Sequence, residues 1–176
     1  MTTQNSSQTT STDPAELFNL PEKGDPTAFI ALLARAESAV GELAGLLGPL
    51  AAAFAAEGES LFLVGGPVRD AMLGRLGHDL DFTTSARPET IKAILTEWGE
   101  AVWDTGIEFG TVSTVKHGQQ VEVTTFRADL YDGVTRNPEV TFGDTIEGDL
   151  VRRDFRANAM AIELIPAADG TLSLDF

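Results

Sequence analysis

Residues 61–84, LFLVGGPVRDAMLGRLGHDLDFTT, constrain this chain more than any other stretch. Leu61 to Val64 is short, wholly apolar and bounded by turn signals, which suits a central strand buried on both faces. Gly65 and Gly66 end that run, Pro67 starts a short helix over Val68 to Leu73, and Asp79 to Thr83 reads as a second strand. On a strand, side chains at i and i+2 point to one face. Asp79 and Asp81 are therefore expected to share a face, roughly 7 Å apart along the chain.

Two carboxylates on one face raise each other's pKa unless a cation neutralises them. A hard divalent ion such as Mg²⁺ does so while keeping waters and accepting phosphate oxygens as further ligands. The glycine pair supplies the complementary half of such a site. Without Cβ atoms the backbone can approach a bulky anion, and the following helix turns its free N–H groups toward it. Arg69, about one turn in, can add a fork of donors to phosphate oxygens. Each part has a plainer reading: Gly-Gly as a turn, Asp-x-Asp as a solvated strand end, Arg-Asp as surface charge. Their occurrence together in one strand-turn-helix-strand unit favours the functional one.

The remaining composition bounds the answer. The 176 residues are 43% hydrophobic, which fits one globular domain plus a tail. A formal net charge of −15 excludes a free-standing nucleic-acid binder, because phosphate backbones need a basic surface, so any RNA contact has to be local or lie outside this chain. With no cysteine and two histidines, His78 and His117, disulfides and a structural zinc site are excluded. Residues 1–12 show neither the basic nor the apolar part of a signal peptide, and the apolar run Leu43 to Ala56 is too short to span a bilayer. No membrane contact is expected, and the default expectation is a soluble cytoplasmic protein.

Residues 1–25 read as a disordered tail and 26–58 as N-terminal helices. One helix begins at Pro26, with Asp25 as N-cap and Phe29, Ile30, Leu33 and Val40 at helical intervals; a second covers about Pro49 to Glu57. Residues 59–176 form the main domain. Pro88 to Trp98 reads as an amphipathic helix with Ile91, Ile94 and Leu95 on one face, and Trp98 and Trp103 are assigned to the core. Thr111 to Lys116 and Gln119 to Thr125 form a hairpin around His117-Gly118. On its second strand Val121, Val123 and Thr125 share one face, Glu122 and Thr124 the other. Ala128 to Glu147 reads as a long loop with one extended stretch at Val140 to Phe142, and Tyr131 and Arg136 are surface residues within it. The chain closes as a hairpin, Met160 to Ile165 and Thr171 to Phe176.

GGPVRDAMLG followed by HDLDFTT resembles the signature of the class II transfer RNA nucleotidyltransferases and bacterial poly(A) polymerases, within the polymerase-β-like nucleotidyltransferase superfamily. The resemblance spans about Leu61 to Phe176. It implies an α+β head domain, a mixed β-sheet flanked by helices, that binds a nucleoside triphosphate and two Mg²⁺ ions through Asp79 and Asp81. In VEVTTFR, Glu122 matches the family's glutamate, which implies a third catalytic carboxylate. Arg152-Arg153-Asp154, within DLVRRDFRANAMAI, is similar to the family's Arg-Arg-Asp motif, implying contact with the ribose hydroxyls and triphosphate, with Asn158 bracing the turn. Arg156 stands where the family usually has threonine, a departure that bears on ribose discrimination.

The reaction so implied is nucleotidyl transfer, in which a 3′-hydroxyl attacks the α-phosphate of a nucleoside triphosphate and pyrophosphate leaves. Gly65, Gly66 and Arg69 would hold phosphates. GIEFGTV, residues 106–112, stands where bacterial poly(A) polymerases carry a basic GRRF-like motif. CCA addition to the tRNA 3′ end from CTP and ATP is thus favoured over polyadenylation, with CC-adding and A-adding variants left open. The family's neck, body and tail domains, which carry base selection and most tRNA contacts, are not represented in the sequence. A fragment weak or silent by itself is therefore expected. The alternative of another class is a non-catalytic module that binds nucleotide and magnesium.

Overall fold

The computed structural model describes residues 26–128 and 141–176. The expected tail, the Asp25 cap, and Tyr131 and Arg136 lie outside the described residues. In chain order the elements are α1 (Pro26–Gly41), α2 (Ala44–Ala56), β1 (Leu61–Val64), α3 (Gly66–Met72), β2 (Asp79–Thr84), α4 (Pro88–Trp98), β3 (Ala101–Trp103), β4 (Thr111–Lys116), β5 (Gln119–Thr125), β6 (Arg127–Ala128), β7 (Thr141–Phe142), α5 (Ile146–Val151), β8 (Ala161–Pro166) and β9 (Leu172–Asp175).

Seven strands form one sheet in the order β3-β4-β5-β2-β1-β8-β9, and β6 pairs with β7 separately. The sheet is mixed: β2 and β5 run parallel, and the other neighbours in it are antiparallel. The apolar run of β1 occupies the centre, as its composition demands, with Leu61 and Leu63 facing the main core. Leu80 and Phe82 of β2, Val121 and Val123 of β5, and Ile162 and Leu164 of β8 join them under α2 and α4. From α2 come Leu47, Leu50 and Phe54, and from α4 Ile91, Leu95 and Trp98.

α4 ends by close packing. Lys116 donates to the carbonyl of Trp98 and lies over its ring, 4.9 Å from the centroid, a cation placed at a helix C-terminus. The next residue, Gly99, passes so near β4 that a Cβ there would sit 2.0 Å from Thr114 Oγ1 and 2.9 Å from the Leu95 carbonyl. Thr114 is itself buried and donates through that hydroxyl to Ala101 O at 2.6 Å. Gly99→Ala is expected to lower stability by about 2–4 kcal/mol through overpacking and the lost hydrogen bond, read as a lower urea midpoint at unchanged slope. An unchanged midpoint would show that the strand yields freely there.

Four expectations need correction. Trp103 is 48% exposed rather than core, because β3 is an edge strand whose alternate residues point outward. Phe29 and Ile30 are also exposed; of the expected stripe Val40 is buried, joined by Ala36. α2 starts at Ala44, earlier than expected, and carries Pro49 within it; its wholly apolar face against the sheet outweighs the backbone bond that proline removes. Residues from Ile146 are helical rather than loop, since Thr145 caps α5 by accepting from Gly148 N at 3.2 Å. Among the described residues no single helix is long and apolar enough to cross a membrane.

Candidate active site

β2 and β5 are adjacent, parallel and in a register that sets Asp81 beside Glu122 and Asp79 beside Gln120. Because Leu80 and Phe82 take the core side of β2, and Val121 and Val123 that of β5, the three acidic side chains leave from the opposite face, where all are exposed. The expected sharing of a face thus holds for Asp79 and Asp81 and extends to Glu122. Asp81 carries the strain of this crowding. Partial desolvation first, then the charge of Glu122, push its carboxyl above the usual aspartate range; Arg153 opposes the rise and Asp79 adds to it.

A cleft of about 230 Å³ opens over these residues, lined by Asp81, Glu122 and Thr124 on the sheet and by Arg127, Arg152 and Arg153 above it. Anionic and cationic walls face each other, the arrangement needed to hold a polyphosphate and its counter-ion together. A larger hollow of about 410 Å³ lies between α1 and the loop before β2, near Arg35, Arg75 and His78, and is lined by none of the three carboxylates.

The arginine wall is held by a residue not singled out in the sequence, Asp149. Its side chain is fully buried in α5, accepts from Arg153 Nη2 at 2.8 Å and from Arg152 Nη2 at 3.3 Å, and also accepts the backbone N–H of Arg127 at 3.1 Å. The available signal was spacing: Asp149 stands three and four residues before the two arginines, so one carboxylate on a helix can reach both. Asp154, the acidic member of the Arg-Arg-Asp motif, is exposed and forms no hydrogen bond with another described residue.

The glycine turn follows Val64, which lines the cleft, while Gly65, Gly66 and Arg69 are not among the lining residues. Gly65 has a φ of +71°, a conformation that disfavours any side chain, and it lies in contact range of the guanidinium of Arg153, with Nη1 3.4 Å from where a Cβ would sit. Its N–H donates to Met160 O at 3.1 Å, tying the turn to the end of the arginine motif. Arg69 forks onto Asp70 at 3.0 and 3.3 Å, which raises its pKa, and reaches Asn158 Oδ1 at 3.3 Å. Asn158 therefore links the arginine motif to α3. Arg156 is exposed in a short 3-10 turn, Arg156–Asn158.

Among the described residues no three His, Asp or Glu side chains close around a single point as a ready metal cage. The donor set nevertheless fits magnesium. Mg²⁺ commonly binds through one or two carboxylates with water and phosphate completing its shell, and a crowded, partly desolvated Asp81 between two like charges is a site that a cation relieves.

Comparison with known proteins identifies the family. The family model described as poly A polymerase head domain matches residues 61–173. A CCA-adding enzyme of Enterococcus faecalis is 46% identical over 120 residues, covering 65% of this chain and 29% of its own. Another, from Latilactobacillus sakei, is 43% identical over 131 residues, covering 72% of this chain and 32% of its own. Among solved structures, the Bacillus stearothermophilus CCA-adding enzyme in complex with CTP aligns over 75% of this chain and 29% of its own, at 36% identity and a TM-score of 0.54. A tRNA nucleotidyltransferase complexed with a primer tRNA and an incoming ATP analogue aligns over 72% of this chain and 34% of its own, at 31% identity and a TM-score of 0.53. The chain thus spans about a third of the length of the proteins it matches. With its motifs on the matched residues and its sheet of the polymerase-β-like kind, this chain belongs to the poly A polymerase head-domain family.

Proposed function

We propose that this chain is the nucleotide-binding and chemical centre of a tRNA nucleotidyltransferase of the CCA-adding type, taking CTP and ATP and extending a tRNA 3′ end. The observation that supports this most is the in-register pairing of Asp81 with Glu122 beneath a wall of arginines, because carboxylate oxygens and guanidinium donors then face each other across one cleft, as a metal-bound polyphosphate would require. Asp79, Asp81 and Glu122 would hold Mg²⁺, which when bound activates the attacking 3′-hydroxyl and neutralises charge on the triphosphate and leaving group.

The protein's own residues do the positioning. Arg152 and Arg153 present guanidinium donors to phosphate oxygens from one side, and Arg69 with Gly65 and Gly66 from the other. Arg153, with Asp154 as an acceptor beside it, reads the ribose hydroxyls, and Asn158 keeps Arg69 in place. The turn at Ile107–Phe109 carries Glu108 and no basic residue, which favours CCA addition over polyadenylation.

The reading is tested by melting the chain with Mg²⁺ and CTP or ATP, and by grafting residues 26–176, which include the core helices α1 and α2 and all of β9, in place of the head of the Bacillus stearothermophilus enzyme. CTP and ATP should each raise the melting temperature when Mg²⁺ is present. The graft should add CMP and AMP to a tRNA lacking its 3′ terminus, whereas the isolated chain should bind without sustained incorporation. Absence of any nucleotide-dependent rise would refute the proposal. Binding with a silent graft would favour the non-catalytic module.

A further inference from the structure

Resting on that reading, we propose that Arg127, the last residue of VEVTTFR and given no role there, is a further polyphosphate-binding side chain of the cleft. Arg127 follows β5 directly and lines the cleft with Arg152, Arg153 and the carboxylates. Of its five side-chain donors, only Nη2 has a protein acceptor among the described residues, Thr111 Oγ1 at 3.0 Å. The Nε–H is buried and has no acceptor among the described residues.

An orphaned charged donor is costly and is kept where a ligand satisfies it. The local charge points the same way. Asp149 forms ion pairs with the side chains of Arg152 and Arg153 but takes only the backbone N–H of Arg127, so the Arg127 guanidinium has no salt-bridge partner among the described residues. Burial and the two neighbouring arginines also make the charged form of Arg127 harder to hold, a penalty that a bound anion removes. The ligand this selects is a multiply charged, oxygen-rich anion large enough to touch several guanidiniums, which is the polyphosphate tail of a nucleotide rather than its base or sugar. Asp149 fixes the approach by holding the backbone N–H of Arg127 while it holds the other two side chains.

The test is calorimetric titration of the chain with inorganic tripolyphosphate, which has phosphates and no nucleoside. Arg127→Met should weaken tripolyphosphate binding about 10- to 100-fold, the range for one charge-assisted hydrogen-bonding residue. Arg127→Lys, which keeps the charge and loses the fork, should fall in between and guards against a misfolded methionine variant. Thr111→Val removes the protein partner of Arg127 and should leave the affinity within about twofold, since the ligand itself supplies the acceptors. If Arg127→Lys and Arg127→Met bind like wild type, Arg127 is not a ligand-binding residue and the proposed function stands. If Thr111→Val is as damaging as Arg127→Met, the arginine acts by bracing β4 and the inference fails. A wild-type chain that does not bind tripolyphosphate overturns the inference, and the proposed function is then decided by the nucleotide-dependent melting with Mg²⁺.

Discussion

Asp81→Asn is expected to yield a protein that melts at a higher temperature at neutral pH than the wild type and yet has lost turnover by three orders of magnitude or more, measured in the grafted enzyme. The two halves have one cause. Partial desolvation, with Glu122 and Asp79 nearby, holds the Asp81 carboxyl above its ordinary range, with Arg153 only partly compensating. An acid whose folded pKa exceeds its unfolded value binds protons more tightly in the native state. Its cost to stability is therefore absent below the unfolded value, grows as the pH rises toward the raised one, and is complete above it. Asparagine carries no charge and escapes that cost, so the difference in melting temperature should shrink on acidification and vanish below the unfolded aspartate pKa. Added Mg²⁺ should raise the melting temperature of the wild type, as a ligand of the native state, and leave the variant nearly unmoved. A variant that melts lower than wild type at pH 7, or that turns over normally, would contradict the assignment.

Asp149→Ala should produce the largest loss of stability of any single change in the cleft. The carboxylate is fully buried and faces two arginines that are 21% and 23% exposed. Removing one partner of such a buried cluster typically costs about 3–5 kcal/mol, because the remaining charges lose their compensation. Water reaches the two arginines in part, which places the expectation near the lower end. For a domain of this size that corresponds to a fall of about 6–12 °C in melting temperature, seen by circular dichroism. Asp149→Asn, which keeps the shape and an acceptor, should lose less. A fall of under about 2 °C on alanine substitution would show that the arginines rearrange without needing it.

The legibility of this molecule followed the range of the physical signal. Asp79 and Asp81 were placeable on one face because strand alternation is local, and the hairpin around His117, with a φ of +49°, because turn chemistry is local too. The family motif carried Glu122 to the site, and the structure shows the means: a parallel pairing between β2 and β5 that alternation alone cannot specify. Asp149 was missed for the opposite reason. A single acidic residue in a short helix looks like surface charge until the fold buries it against Arg127 from another element. Trp103 was misplaced by its side chain's preference for burial, which cannot reveal that its strand lies at the sheet's edge.

The order of strands carries a consequence for how the protein comes into being. β1 is flanked by β2 and by β8, and Gly65 beside β1 is tethered to Met160 just before β8, so the floor and the arginine wall of the cleft are joined by pairings between distant parts of the chain. Such long-range closures are slow steps in folding. During synthesis the carboxylates of β2 leave the ribosome well ahead of Arg152 and Arg153, and the growing polypeptide has no competent cleft until β8 has emerged and inserted beside β1.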